Sequence, residues 1–255
     1  MSATLLIIPL ENFPLVEPGD DLNAIISQSL RDNDLILEGG DIIVIAQKII
    51  SKAEGRYAYL NEVIPSAKAI ELAEQVGKDS RQVELILKES KELIRSRPGV
   101  IIVEHKLGYI HANAGIDKSN IESSDENPRL LLLPIDSDAS AAKIRHHLIV
   151  ENDADVAVII NDSAGRAWRN GTVGMAIGTA GFKPLNNQIG DLDLFDRELE
   201  ITEVAVADEL AAGASFVMGQ AREGIPVVLI RGAQLKSSKE GSSALIREKS
   251  MDMFR

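Results

Sequence analysis

No cysteine occurs among the 255 residues. Disulfides, cysteine-ligated zinc, iron–sulfur clusters and thiol nucleophiles are therefore excluded. Aromatic residues are scarce at 4%, which is little stacking surface for a protein that grips single-stranded nucleic acid. No apolar run approaches the roughly 18 residues that a membrane span needs. Met1–Leu10 is apolar but has no basic leader. It reads as a strand rather than a signal peptide, and the cytoplasm is the expected compartment. Positive charge is in deficit, with 27 Lys and Arg against 39 Asp and Glu and a net charge of -12. That field repels nucleic acids and also nucleotides, phosphates and carboxylates. An anionic substrate needs local cations or metal ions to reverse it. The chain also lacks a fixed-period repeat, a Gly-Pro-Ser linker, a Walker-type glycine loop, a strand-then-helix GxGxxG and a nucleophile elbow.

What is present is a globular composition, 45% hydrophobic and 26% charged, long enough for one or two domains. Asp20-Asp21 precede Leu22, Ile25, Ile26 and Leu30 at helical spacing. Ile42–Ala46 is a continuous apolar run, the pattern of a strand buried on both faces. Helical periodicity covers Ala67–Val76 and Ser80–Ile94, with Glu71/Gln75 and Glu84/Lys88 as exposed i, i+4 pairs. Val100–Val103 and Tyr109–Ala112 read as a hairpin around Gly108, and Leu130–Leu133 as a strand. Asp136-Ser137-Asp138 can cap a helix to about His147, and Val156–Ile160 reads as a strand. Asn161–Lys183, rich in Gly and Ala, reads as loop and turn. Thr202–Met218 is helical and Pro226–Ile230 a last strand, with a polar, mobile tail over 235–255. Alternating strands and helices give an α/β or mixed α+β class. One unit spans 1–255, with a seam near 117–129 as its only internal division.

Four stretches could carry chemistry. Gln47, Lys48 and Lys52, with Arg56 beyond, follow the buried strand, where open α/β sheets bind ligands. They are phosphate neutralisers or an ordinary solvated strand end. Asp117 and Asn120 follow the small residues Ala112–Gly115. They offer hard oxygens to Mg2+ or Mn2+, or else bond their own backbone in an Asx-type turn. Asp162-Ser163 stands at a strand end, with Arg166, Trp168 and Arg169 after it. Carboxylate plus hydroxyl suits a divalent metal, and Arg reads phosphate or carboxylate. The alternative is a helix cap with surface arginines and Trp168 as a core plug. Met218–Pro226 joins a helix to the last strand through Gly219 and Gly224, and alone reads as a connection. His105, His111 and the adjacent His146-His147 show no ligand spacing. The acidic run Asp191–Glu203 reads as solvated surface.

Taken in this order, the stretches resemble the coenzyme F420-0:L-glutamate ligase family. Gly40–Arg56, Ala112–Asn120, Leu130–Arg145, Ile159–Gly181 and Asp208–Gly232 carry the resemblance, joined by Phe13, Pro14, Leu15 and Val16. It implies two interleaved α/β subdomains in a family-specific fold, assembled as an intertwined homodimer, in the form without a C-terminal nitroreductase-like domain. It further implies a GTP-dependent enzyme that adds L-glutamate, and further gamma-linked glutamates, to the deazaflavin coenzyme F420-0. Its route is an acyl phosphate, with two divalent cations (Mg2+ or Mn2+) and a monovalent K+ as cofactors. By resemblance the nucleotide is lined by Phe13, Pro14, Leu15, Val16, Gln47, Lys48, Lys52 and Asn120. Met218, Gly219, Gln220, Ala221, Arg222, Glu223, Gly224 and Ile225 complete that lining. Asp117, Asp162, Ser163 and Gln220 match metal ligands, and Asp117, Asp162, Lys48 and Arg166 are the expected catalytic residues. Ala164 and Ala167 depart from the bulkier residues or Pro of relatives. The alternatives are a ligase of the same scaffold with another acceptor, and a non-catalytic protein that binds a nucleotide or deazaflavin.

Overall fold

The computed structural model describes residues 4–254, so Met1–Ala3 of the first expected strand lie outside it. Strand β1 (Leu6–Pro9) leads to helix α1 (Leu22–Asp32), whose N-cap Asp21 accepts from the backbone N–H of Asn23 and Ala24. Strand β2 (Ile42–Ala46) runs directly into α2 (Gln47–Ala53), followed by β3 (Tyr57–Tyr59). Helices α3 (Ala67–Val76) and α4 (Ser80–Lys88) precede β4 (Ser90–Arg97), β5 (Val100–His105) and β6 (Ile110–Ala112). Next come β7 (Arg129–Leu131), α5 (Ser137–Asn152), β8 (Ala157–Arg166) and β9 (Arg169–Ala180). The chain closes with β10 (Asn186–Asn187), β11 (Glu203–Val204), α6 (Val206–Met218) and β12 (Val227–Arg231).

The main sheet has the order β1-β12-β2-β8-β9. Only β2 and β8 run parallel; the other neighbours are antiparallel. Alternation along β2 explains its unbroken apolar run. Ile43 and Ile45 pack with Ile26 and Leu30 of α1 and Ile144 and Leu148 of α5. Ile42 and Val44 pack on the opposite face with Leu210, Ala211 and Ala214 of α6. Because β2 and β8 are parallel, their carboxyl ends lie side by side, and Ala46 pairs with Asn161. A separate core between Leu60 and Leu132 joins α3 and α4 to β5. Among the described residues no helix is long and apolar enough to cross a membrane.

Several expectations are corrected. Helical periodicity runs to Ile94 in the sequence, yet the helix stops at Lys88 and Ser90–Ile94 join β4, paired to β5. Glu84 is buried rather than exposed; it accepts from the backbone N and the hydroxyl of Ser66, the N-cap of α3. The Gly/Ala-rich stretch from Asn161 is not loop but the long β8–β9 hairpin. Its small residues answer to helices on both faces. A Cβ at Gly174 would strike the backbone of Ala211 in α6, and one at Gly178 the backbone of Ser137 in α5. The tail is not free either. Ser242 is buried and bonds Asp138 through both its backbone N and its hydroxyl, while Ile246 packs on the core.

His105 sits in this frame as a pH-sensitive element. Its ring stacks on Tyr109 with centroids 5.7 Å apart, and Nδ1 accepts from Leu107 N at 3.0 Å. Nε2 is buried with no hydrogen-bond partner, and burial holds the pKa down at about 4, against an ordinary value of 6.5. The folded protein thus resists a proton that the unfolded chain accepts. Stability falls as pH drops from 6.5 to 4, by roughly 3 kcal/mol from this group. His105→Phe keeps the stack and removes the titration. A melting-temperature profile over that window is expected to be shallower in the variant than in the parent.

Candidate active site at the carboxyl ends of β2 and β8

The parallel strand ends open into a cleft of about 700 Å3. Phe13–Val16, Gln47, Lys48, Lys52, Asn120, Asp162, Ser163 and Met218–Ile225 all line it, as do Tyr57, Arg129 and Asn161. Every residue expected at the nucleotide therefore faces one cavity. The cationic side chains along it are Lys48, Lys52, Arg129 and Arg222, against Glu17, Glu122, Asp162 and Glu223. The local charge is balanced rather than positive. Burial lowers the pKa of Lys52, with neighbouring Lys48 and Arg129 adding to the effect and Glu17 opposing it.

Asp117 follows β6 through a 3-10 turn, Asn113–Gly115, and its backbone bridges to Leu131 in both directions at 2.9 and 3.0 Å. The small residues before it serve packing rather than a ligand. Ala114 is fully buried in a left-handed conformation at φ 56°, and a Cβ at Gly115 would strike Leu133. Gln47, only 2% exposed, donates from Nε2 to Asp117 Oδ2 at 2.7 Å while its own Oε1 accepts from Ser51. Lys48 Nζ lies 3.3 Å from Asp117 Oδ1 and 3.3 Å from Ser119 Oγ. Burial raises the Asp117 pKa; Lys48 opposes that and the charge of Asp162 reinforces it. The two aspartates thus share one electrostatic environment despite the 45 positions between them.

Asp162 is an interior residue of β8, beside a β-bulge between Ile160 and Asn161. Its Oδ1 accepts from the Ser163 backbone N at 2.8 Å, and its Oδ2 lies 3.0 Å from His111 Nε2. His111 has its other nitrogen 3.1 Å from the Ala112 carbonyl. Both partners are acceptors, so the doubly protonated ring satisfies both. Burial pulls the His111 pKa down, but the hydrogen bond and charge of Asp162 prevail and the net shift is upward. Sequence reasoning passed over His111 because its partner is 51 positions away. Ser163 Oγ donates to Gln220 Oε1 at 2.7 Å, and Gln220 Nε2 to Ser215 at 3.1 Å. Asn120 Nδ2 donates to the Ala221 carbonyl at 2.9 Å, tying that loop to the one after α6.

Two expected arginines lie elsewhere. Arg56 is committed to the Leu133 carbonyl and to Glu89, both at 2.8 Å, and so serves the fold rather than a phosphate. Arg166 stands four residues beyond Asp162 on β8, roughly 13 Å along the strand. It is exposed and does not line the cleft. Trp168 is no core plug: it is 87% exposed at the hairpin turn, against Phe254.

Among the described residues no cluster of three or more His, Asp or Glu could hold a metal by itself. The donor set is two carboxylates, one hydroxyl and one amide oxygen. That set is incomplete for an all-protein cage. It fits a hard cation that keeps waters and completes its shell with substrate phosphates, as Mg2+ does. Comparison with known proteins finds relatives over nearly the whole chain. A family model described as F420-0:Gamma-glutamyl ligase matches residues 11–232. A protein of Methanothermobacter thermautotrophicus named coenzyme F420:L-glutamate ligase is 47% identical over 252 residues, 98% of each chain. Proteins of the same name from Methanocaldococcus jannaschii and Methanosarcina barkeri are 45% and 38% identical, over 95% and 97% of this chain and 94% of their own length.

Proposed function

The chain belongs to the F420-0:gamma-glutamyl ligase family, and from that premise we propose that it joins L-glutamate to coenzyme F420-0 in the cytoplasm, driven by GTP. The observation that carries the reading is the convergence of Asp162, Ser163, Gln220, Lys48 and Lys52 on one strand-end cleft, with Asp117 held behind its lining by Gln47 and Lys48. A carboxylate does not condense with an amine at neutral pH without activation. The acceptor carboxylate attacks the γ-phosphorus of GTP, forming an acyl phosphate and releasing GDP. The glutamate nitrogen then attacks the acyl carbon, phosphate leaves, and the amine loses a proton. Asp117, Asp162, Ser163 and Gln220 would hold two divalent cations, with K+ as a further bound cation. These ions supply charge neutralisation on phosphate oxygens. The protein's own contribution is positioning: Lys48 and Lys52 on the phosphates, and Gln47 fixing Asp117. Arg166, exposed and outside the cleft lining, is assigned no step in this route.

Purified protein with GTP, Mn2+, L-glutamate and F420-0 should give a product heavier by one glutamyl residue in mass spectrometry, or by several. Nucleotide turnover should require both acceptor and glutamate. Turnover with a different acid in place of F420-0 would indicate a same-scaffold ligase, and binding without turnover a non-catalytic protein.

Lys52→Ala should chiefly weaken the nucleotide. Losing one charge-assisted phosphate contact costs roughly 1.5–3 kcal/mol, about 10- to 150-fold in GTP affinity by calorimetry. Unchanged affinity would remove Lys52 from the site. We also propose the homodimer. Trp168, Phe216, Leu194 and Phe195 are large apolar side chains left exposed in the single chain, and a partner subunit would cover such residues. Light scattering is expected to give twice the chain mass, and Trp168→Asp to reduce it.

A further inference from the structure

The donors and charges that line the cleft can meet a ligand directly, whereas one residue behind them cannot. His111 is only 8% exposed, belongs to β6 rather than to the main sheet, and does not line the cavity. It nevertheless contacts Asp162 Oδ2 at 3.0 Å. Resting on the metal-binding role proposed above for Asp162, we propose that His111 is a positioning residue for the divalent-cation site. It donates from Nε2 and holds the Asp162 carboxylate in the orientation that a cation in the cleft requires.

Asp162 is clamped from two sides, the Ser163 backbone N on Oδ1 and His111 Nε2 on Oδ2. Each carboxylate oxygen has two acceptor sites, so one on each remains free. With two fixed donors behind it, the carboxylate has lost its rotation about χ2 before any ion arrives. Partners of this kind set ligand orientation, and removing one typically costs 10- to 100-fold in metal affinity. The contact needs only an Nε2–H, which the neutral Nε2–H tautomer and the cation both provide. His111 itself is held in place by its backbone, since the strand β6 pairs with β5, while Nδ1 lies 3.1 Å from the Ala112 carbonyl. The arrangement also explains how the smaller unit around α3, α4 and β5 acts on the main-sheet site. It supplies Asp117 after the Asn113–Gly115 turn and His111 from the strand just before it.

The test reads Mn2+ alone, from loss of the free-ion electron paramagnetic signal on titration, beside the melting temperature of the metal-free protein. His111→Leu should lower Mn2+ affinity 10- to 100-fold. His111→Gln, whose amide can donate to Asp162, should recover most of it. A purely structural histidine would lower the melting temperature in both variants without this split in affinity. In the unmutated protein, Mn2+ should broaden the ring resonances of His111, a readout that needs no variant to fold. Sharp His111 resonances at saturating Mn2+, or His111→Leu binding Mn2+ within about threefold of the parent, overturn the inference. Asp162→Asn separates the two levels. If it loses Mn2+ while His111→Leu does not, only the role of His111 fails. If neither loses it, the metal reading of Asp162 fails as well.

Discussion

Asp162→Asn is expected to reduce turnover at least a hundredfold, about 2.7 kcal/mol or more of lost transition-state stabilisation, with little change in melting temperature. The two parts of that result have separate causes. A neutral amide offers one oxygen and no charge to a divalent cation, so the proposed ligand is lost although its volume remains. The fold survives because its neighbours can adapt. The amide oxygen still accepts from Ser163 N, and the amide nitrogen then faces His111 Nε2. A neutral His111 with its proton on Nδ1 can accept there while still donating to the Ala112 carbonyl. Steady-state kinetics and a thermal melt on the same preparation check both halves. Activity within threefold of the parent would remove Asp162 from the set of direct ligands.

Metal should stabilise the folded protein, and nucleotide should add to that. Asp117 and Asp162 act on each other as like charges, and burial compounds the strain on Asp117. Without metal, the site relies on Lys48 beside Asp117 and His111 beside Asp162 for compensation. A ligand that binds only the native state contributes about 2.7 kcal/mol at a hundred times its dissociation constant. For a chain of this length that is a rise of roughly 5–10 °C in melting temperature. Mn2+ should produce it and GTP should extend it. In the double variant Asp117→Asn, Asp162→Asn the Mn2+ increment should disappear. A shift of equal size there would place the ions elsewhere and dismantle the proposed site.

The legible part of this protein is the part written in short-range pattern. Ile42–Ala46 has no polar position, so it had to be a strand covered on both faces, and Gln47, Lys48 and Lys52 had to emerge at its end. Asp21 and Asp136 precede apolar residues at helical spacing, and both cap helices. The family motifs likewise put Asp117, Asp162, Ser163 and Gln220 forward together. Other features depended on partners far away in the chain. The Gly/Ala run after Asn161 has no apolar alternation to announce a strand. Its small residues are demanded by α5 and α6 closing on the two faces of β9. Periodicity through Ile94 could not reveal that β5 claims Ser90 onward, since a strand's hydrogen bonds lie on its neighbour. Arg56 and Arg166 look alike in sequence as phosphate readers, yet one is bound to Glu89 and the other projects from a hairpin. His111 carried no signal at all, because a side chain's role as a donor is set by what it faces. What the sequence determined by itself was the elements with a complete local pattern, such as β2, α1 and α5, and which hard-oxygen donors are available. Which of those donors meet, and what holds them, was decided only when β6 packed against β8 and Asp117 met Gln47 and Lys48 beyond the end of β2. Those contacts join positions 51 and 70 residues apart, a distance over which no local periodicity carries information.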